Sequence, residues 1–484
     1  MCAEGPLPFR AVAQRLKLGG IMLTIRISPL GGMTEEMEGA GDTARIQEAI
    51  DDCFSRGGGK VVLEEGVYVS GTLRLKSHVT LCLAGGALLL GSTRIEDYPD
   101  NETCFTDAVG HRRGRALLYA VDAEDIGLEG DGIIDGQGGE FPPEHPAHMI
   151  RPFLVRLVQC REVRIRGLEC RQSPAWCLHL QECSGVLLEE VTVVSRCNGN
   201  NDGIDIDGCS MVRIRSCNLD TGDDAICLKT TGKKACEGIS VTGCRVTTGW
   251  SAFKIGTESV GDFREIEVAD CVFYDVKGCG IKVVPVDGGS VEGLYLHDIR
   301  MVNCTGPIFF SQGERLRRYF GQGKEQPGRI SRVRLERIRA HAVSAEGGLY
   351  QGKPWGNARG CVVFSGLKNL PMEDVRLKDC EFEMPGGVME EVCGNVPEMG
   401  EQYPEFHLFD PLPCWGMYLR HIDGIQWEGV KLVCRETDVR PETAGEDVRN
   451  VVCPEGDAGF EVPKAGRGKP EAGSVTEKED VDHV

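Results

Sequence analysis

The sequence predicts an all-β fold, a right-handed parallel β-helix closed at its start by a capping helix. Two observations carry this. The first is a repeat. CREVRI (from Cys160), CSGVLL (Cys183), CSMVRI (Cys209), CEGISV (Cys236) and FREIEV (Phe263) follow one another at steps of 23, 26, 27 and 27 residues. A second column, Cys217, Cys244 and Cys271, keeps the 27-residue step. The second observation is texture: the runs are short, alternate apolar with polar residues, and are broken by Gly, Asn and Asp. A period of about 20–30 residues marks a solenoid of stacked coils. Short interrupted runs favour strands over helices, and parallel crossovers are right-handed.

The elements follow in order. Residues 1–40 form an N-terminal extension with no assigned structure. DTARIQEAIDDCFSRGGG (42–59) has apolar residues at helical spacing, Ile46, Ala49, Ile50 and Phe54. Asp42 or Thr43 caps its start and Gly57 ends it. Such a helix covers the open first coil, which a solenoid needs. GKVVLEEGVYVSG and HVTLCLAGGALLLGS begin the coils. EGLYLHDI (292–299), SRVRLERI (331–338), EDVRLKDC (373–380) and DGIQWEGV (423–430) are later copies with longer insertions between them. The coils thus make one domain over 41–452. Residues 453–484, rich in Glu, Lys, Gly and Pro, are expected to be a disordered acidic tail.

Composition bounds the function. Of 484 residues, 54 are Lys or Arg and 74 are Asp or Glu, a net charge of -20. Such a chain lacks the positive field that attracts phosphates, so neither nucleic acid nor an anionic membrane is an expected partner. No run of about 18 apolar residues spans a bilayer. No Gly-rich loop between strand and helix offers a nucleotide site. The first residues lack the apolar core of a secretion signal, so a cytoplasmic protein is expected. The 23 cysteines mostly fall in the repeat columns. They read as small buried hydrophobes rather than as disulfides or metal ligands. A monomer is expected.

Aligning the coils by their apolar pairs stacks AWCLHL (175–180), NDGIDI (201–206), DDAICL (223–228), WSAFKI (250–255) and GCGIKV (278–283). Side chains alternate along a strand, so the intervening residues face outward in columns. These are Ala175, Asn201, Asp223, Trp250 and Gly278; then Trp176, Asp202, Asp224, Ser251 and Cys279. A third column holds His179, Asp205, Cys227, Lys254 and Lys282, and a fourth Gln181, Asp207, Lys229, Gly256 and Val284. Strands lie about 4.8 Å apart, which gathers Asp202, Asp223 and Asp224 within one or two coils. Like charges this close raise at least one pKa. A raised acid beside an ionised carboxylate is what glycoside hydrolysis requires. Lys229, Lys254 and Lys282 suit an acidic sugar, and Trp250 or Trp176 suits stacking on a ring. Asp205, Asn201, His179 and Glu258 complete the expected substrate site, with Glu258 reading equally as orienting Lys254 or as capping a turn. His179 reads equally as a histidine satisfied inside the protein. Arg420 and His421 are weaker candidates for a far subsite.

At these residues the chain resembles glycoside hydrolase family 28, the polygalacturonase-like β-helices. The motifs are the entry segment 42–92, EGDGIIDGQG (129–138), SPAWCLHL (173–180), NNDG (200–203), TGDDAICLK (221–229) and CWGMYLRHIDGI (414–425). The resemblance implies an inverting hydrolase that uses no cofactor and no metal. It implies Asp223 as general acid, with Asp202 and Asp224 holding and activating water. The family commonly carries a GHG one coil later and an R-x-K on the next. Here Gly249-Trp250-Ser251 and Lys282-Val283-Val284 stand in those places. Lysine lacks the bidentate fork that arginine offers a carboxylate. The expected substrate is a short uronic-acid-containing pectic oligosaccharide, galacturonide or rhamnogalacturonan-type. Exo-action is expected, with the insertions after residue 304 and at 344–361 closing one end of the cleft. Two alternatives stand beside this. One is a lyase or epimerase using Ca²⁺ held by Asp202, Asp205 and Asp207. The other is an inactive carbohydrate-binding solenoid.

Overall fold

The computed structural model describes residues 23–29 and 41–453, except 108–109, 345–348, 351–352, 355–360, 391, 393–395, 399 and 410–411. The expected tail from 454, most of the extension and most of the 344–361 insertion lie outside the described residues.

Three columns of parallel strands run the length of the described chain, each strand pairing with its counterpart one coil on. One column has twelve strands, from Gly66–Ser70 to Lys431–Glu436. The other two join into one 24-stranded sheet because the long strand Met417–Glu428 pairs with members of both. This is the right-handed parallel β-helix that the repeat predicts.

Two stacks of apolar side chains show why these runs are strands. Leu178, Ile204, Ile226, Phe253, Ile281 and Ile308 lie in register on successive coils. Leu180, Ile206, Leu228, Ile255, Val283 and Phe310 do the same two residues on. All are buried. Branched side chains fit such a pleated surface, and the residues between them are left to face out.

The corner that leads into the twelve-stranded column is a single left-handed residue in many coils. Glu190, Ser216, Gly243, Asp270, Asp298, Arg337, Asp379 and Gly429 hold it with φ between 52° and 65°. Gly and Asp tolerate this region, whereas Glu190 and Arg337 do so only because the stack imposes it.

The helix Thr43–Ser55 buries Ile46, Ile50 and Cys53 against the first coils. Phe54, read from the sequence as part of that stripe, is 46% exposed; Cys53 takes the inward place. Asp42 makes no side-chain cap bond. Its Oδ2 instead accepts from the Val69 amide at 3.0 Å, tying the helix to the second coil. Within the unassigned extension, Leu23–Ile27 pairs in parallel with Gly59–Leu63, so the coils begin before the helix.

The cysteine columns are buried thiols. Cys183, Cys209 and Cys236 each donate to a carbonyl of the preceding coil, those of Leu157, Leu180 and Ile206, at 3.1–3.4 Å. The described cysteines are free. No described helix is long and apolar enough to cross a membrane.

Candidate active site

The site stands on the outward face of five successive strands. His179, Asp205, Cys227, Lys254 and Lys282 pair in one column, as the alignment predicts. The next column holds for Gln181, Asp207 and Lys229 but then departs from the prediction. Leu228 pairs with Ile255 and Thr230 with Ser259, so residues 256–258 face Lys229 alone. Such bulges re-aim side chains. Here the result is Glu258 Oε2, 3.6 Å from Lys229 Nζ.

Asp202, Asp223 and Asp224 come from the bends that lead into two of these strands. Fully buried Asn201 fixes the first bend. Its amide nitrogen donates to the carbonyls of Ser173 and Ala175 at 2.7 and 3.2 Å, and its oxygen accepts from the Asn198 amide at 2.6 Å. The second bend is held by Thr221 and Thr248, whose hydroxyls donate to the Asp223 carbonyl at 2.7 and 2.5 Å. The Asp224 amide donates to Asp223 Oδ1 at 2.8 Å. The three carboxyl groups each place an oxygen within 4.8 Å of the others. Asp202 and Asp224 are buried and Asp223 is half-buried.

Electrostatics separate them. Burial, then Asp224, pushes Asp223 up to about 6. Burial, then Asp205 and Asp223, pushes Asp202 well above the usual carboxylate range. Asp224 is ion-paired with Lys254 Nζ at 2.6 Å, and the same ammonium donates to Tyr403 Oη at 3.1 Å. Lys229 Nζ lies 3.4 Å from both Asp202 and Asp205 and 4.3 Å above the Trp176 ring. Burial opposes the charge on both lysines, but the surrounding acids hold their protons firmly. Burial pushes Asp205 up to about 7, against the pull of Lys229. Glu258 goes the other way: Lys229, Lys254 and Arg315 outweigh its burial and hold it down to about 2.

The remaining expected residues divide. Trp250 and Lys282 line a pocket beside the carboxylates, with Ser251, Cys279, Glu405 and Phe406. Trp176 does not: it is 3% exposed and stacks on Phe153 at 5.1 Å. His179 is fully buried between Arg156, to which it is hydrogen-bonded, and Asp207 Oδ2 at 3.3 Å. Burial and Arg156 push it down to about 4. Both are packing residues behind Lys229. His421, bonded to Asp447 and Glu398 at 2.9 Å each, and Arg420, bonded to the carbonyls of Val396 and Pro397, anchor the segment 396–409.

That segment carries what the sequence reading missed. Tyr403, Glu405 and Phe406 fold back over the cleft, and Lys282 Nζ donates to Glu405 Oε2 at 2.6 Å. They lie in an insertion before the closing coil, outside any repeat. Six buried polar atoms at this place have no hydrogen-bond partner within the chain: Asp202 Oδ1, both carboxylate oxygens of Asp205, Asp224 Oδ1, Ser251 Oγ and Glu405 Oε1. Buried polar groups are mostly paired, so this concentration in one cleft leaves hydrogen-bonding capacity open to a polar ligand or water.

The expected calcium set does not assemble. Asp207 accepts from the Thr231 amide and hydroxyl at 2.8 and 2.6 Å, and Asp205 faces Lys229. Among the described residues, the acids close enough to share a cation are Asp202, Asp223 and Asp224. There the ammonium groups of Lys229 and Lys254 already supply positive charge.

Residues 101–399, more than half of the chain, match the family model of glycosyl hydrolases family 28. A probable polygalacturonase of Vitis vinifera is 26% identical over 285 residues, 54% of this chain and 57% of that protein. A polygalacturonase of Ralstonia nicotianae is 25% identical, covering 60% of this chain and 66% of its own length. The chain therefore spans under two thirds of these relatives. Among solved structures, an exopolygalacturonase of Thermotoga maritima aligns with a TM-score of 0.62 at 21% identity, over 81% of this chain and 88% of that one. A family 28 exopolygalacturonase of Yersinia enterocolitica aligns at 0.64 and 16% identity, over 89% and 78%. At these identities the likeness is one of fold.

Proposed function

This chain belongs to glycosyl hydrolases family 28, and on that premise we propose that it hydrolyses short pectic oligosaccharides from one end, with Asp223 as general acid. The observation that carries the proposal is the contrast within the carboxylate group. Half-buried Asp223 is raised to about 6, while Asp224 is ion-paired with a buried lysine at 2.6 Å. A raised carboxyl group beside one held in an ion pair offers the acid and the base that glycoside hydrolysis needs.

In the reaction Asp223 gives its proton to the glycosidic oxygen as the bond to the anomeric carbon breaks. Water adds to that carbon and passes a proton to Asp224, with Asp202 positioning it. The unpartnered Oδ1 atoms of Asp202 and Asp224 support this water site. The carboxyl groups of Asp202 and Asp224 each bring an oxygen within 4.8 Å of one on Asp223, nearer than the roughly 6.5–9.5 Å of the common inverting pair. Inversion is therefore proposed from family membership and is read from the product.

Exo-action is supported by insertions that meet along the cleft. Phe320, from the insertion after residue 304, lies 5.4 Å from Phe105. Arg315, from the same insertion, lies 5.7 Å from the Tyr403 ring. A reducing, cytoplasmic setting is the remaining part of the reading, supported by the buried free thiols.

The test is product analysis on a panel of pectic oligosaccharides, by mass and anomeric NMR. Release of one terminal sugar in inverted form, indifferent to chelator and reduced about 10²–10⁴-fold in Asp223→Asn, is the expected result. An unsaturated product, or equal release by the mutant, would overturn it.

A further inference from the structure

The cleft cations are already matched. Lys229 faces Asp202, Asp205 and Glu258; Lys254 faces Asp224; Lys282 faces Glu405. Arg315, at the edge, is paired with Asp287 at 2.5 Å. A uronate arriving over Lys282 would have to displace Glu405 from a 2.6 Å contact.

The pocket at Lys282 is built differently. Trp250, Cys279 and Phe406 give it apolar walls. Phe406 is itself held by Phe309, ring to ring at 4.9 Å. Glu405 turns Oε2 to Lys282 and leaves Oε1 buried with no partner in the chain. Ser251 Oγ on the same wall is also unpartnered. An anionic acceptor beside a hydroxyl and two aromatic faces complements a sugar that offers hydroxyl donors and a ring face. It repels a carboxylate.

We propose that this pocket takes a neutral sugar residue and excludes a uronate, with Glu405 as the residue that sets the choice. The proposal rests on the hydrolase reading above and narrows it: the bond cut joins a neutral sugar to the rest of the pectic chain.

The experiment uses pectic oligosaccharides matched in length and linkage, each as the free acid and with its carboxyl groups reduced to alcohols. kcat/KM is measured for the wild type, Glu405→Gln and Asp223→Asn. The expected wild-type preference for the reduced form is about tenfold or more, since like-charge juxtaposition is strongly unfavourable. Glu405→Gln frees Lys282 and is expected to shrink or reverse that ratio by a similar factor. Preference for the free acid in the wild type overturns the proposal whatever the variant does, and so does an unchanged ratio in a folded Glu405→Gln. Should nothing be cut in an Asp223-dependent way, the hydrolase reading itself fails. Calorimetric binding to Asp223→Asn then decides the pocket separately: equal or tighter binding of the free acid overturns the neutral-sugar assignment, and tighter binding of the reduced form upholds it.

Discussion

Lys254 Nζ lies 2.6 Å from Asp224 Oδ2, and both side chains are buried. Removing one partner of a buried ion pair leaves the other charge uncompensated. Lys254→Met should therefore cost on the order of 3–5 kcal/mol of stability, with a fall in kcat. An unchanged melting temperature and unchanged turnover would show that Lys254 only fills space.

Asp223 must carry its proton to serve as the acid, and its folded value is about 6. Activity should decline as pH rises through about 6, tenfold per unit once the group is ionised. Kinetics across pH 4–9 measure this; a plateau extending to pH 8 would move the acid role to another residue.

Asp205 bears on stability. Its pKa is about 7 when folded, against about 3.9 in an unfolded chain. The folded state thus holds a proton that the unfolded state releases, and this contribution is lost as pH rises from 4 to 7. Asp205→Asn removes the dependence and leaves Lys229 with Asp202 and Glu258. The variant should gain on the order of 1–3 kcal/mol at pH 8 and little at pH 5. Thermal melts at the two pH values test it, and an equal shift at both would contradict the linkage.

His179 makes the opposite case. Fully buried between Arg156 and Asp207, it should matter to folding more than to turnover. His179→Ala should cost on the order of 2–4 kcal/mol, from the cavity and the stranded polar partners. The folded fraction should keep kcat/KM within a few-fold. A large rise in KM with unchanged melting temperature would return His179 to the sugar site.

The coils and the carboxylate group were legible because both depend on register. The apolar pairs of successive coils fix which residues stack, so Asp202, Asp223 and Asp224 could be placed together although that coil is only 22 residues long (224 − 202). Two kinds of information were not in the period. One was depth: Trp176 and His179 occupy outward columns, yet Phe105 and Phe153 cover them. The other was the return of a distant loop. Glu405 meets Lys282 from 123 residues away, and no repeat announces it. The bulge at 256–258 is a third case, where the ladder slips and Glu258 takes the place expected of Gly256.

The thiol columns carry a consequence for the chain's life outside the native state. While the coils are closed, most of these sulfurs are sealed from solvent. Opening a few coils at once would release several neighbours, each with an ordinary pKa near 8.5. Thiolate attack and air oxidation could then cross-link coils in arrangements the solenoid cannot close over. The first excursion would become the last, and the usable lifetime of the protein would be a rate set by opening and by ambient oxidant, more than by equilibrium stability.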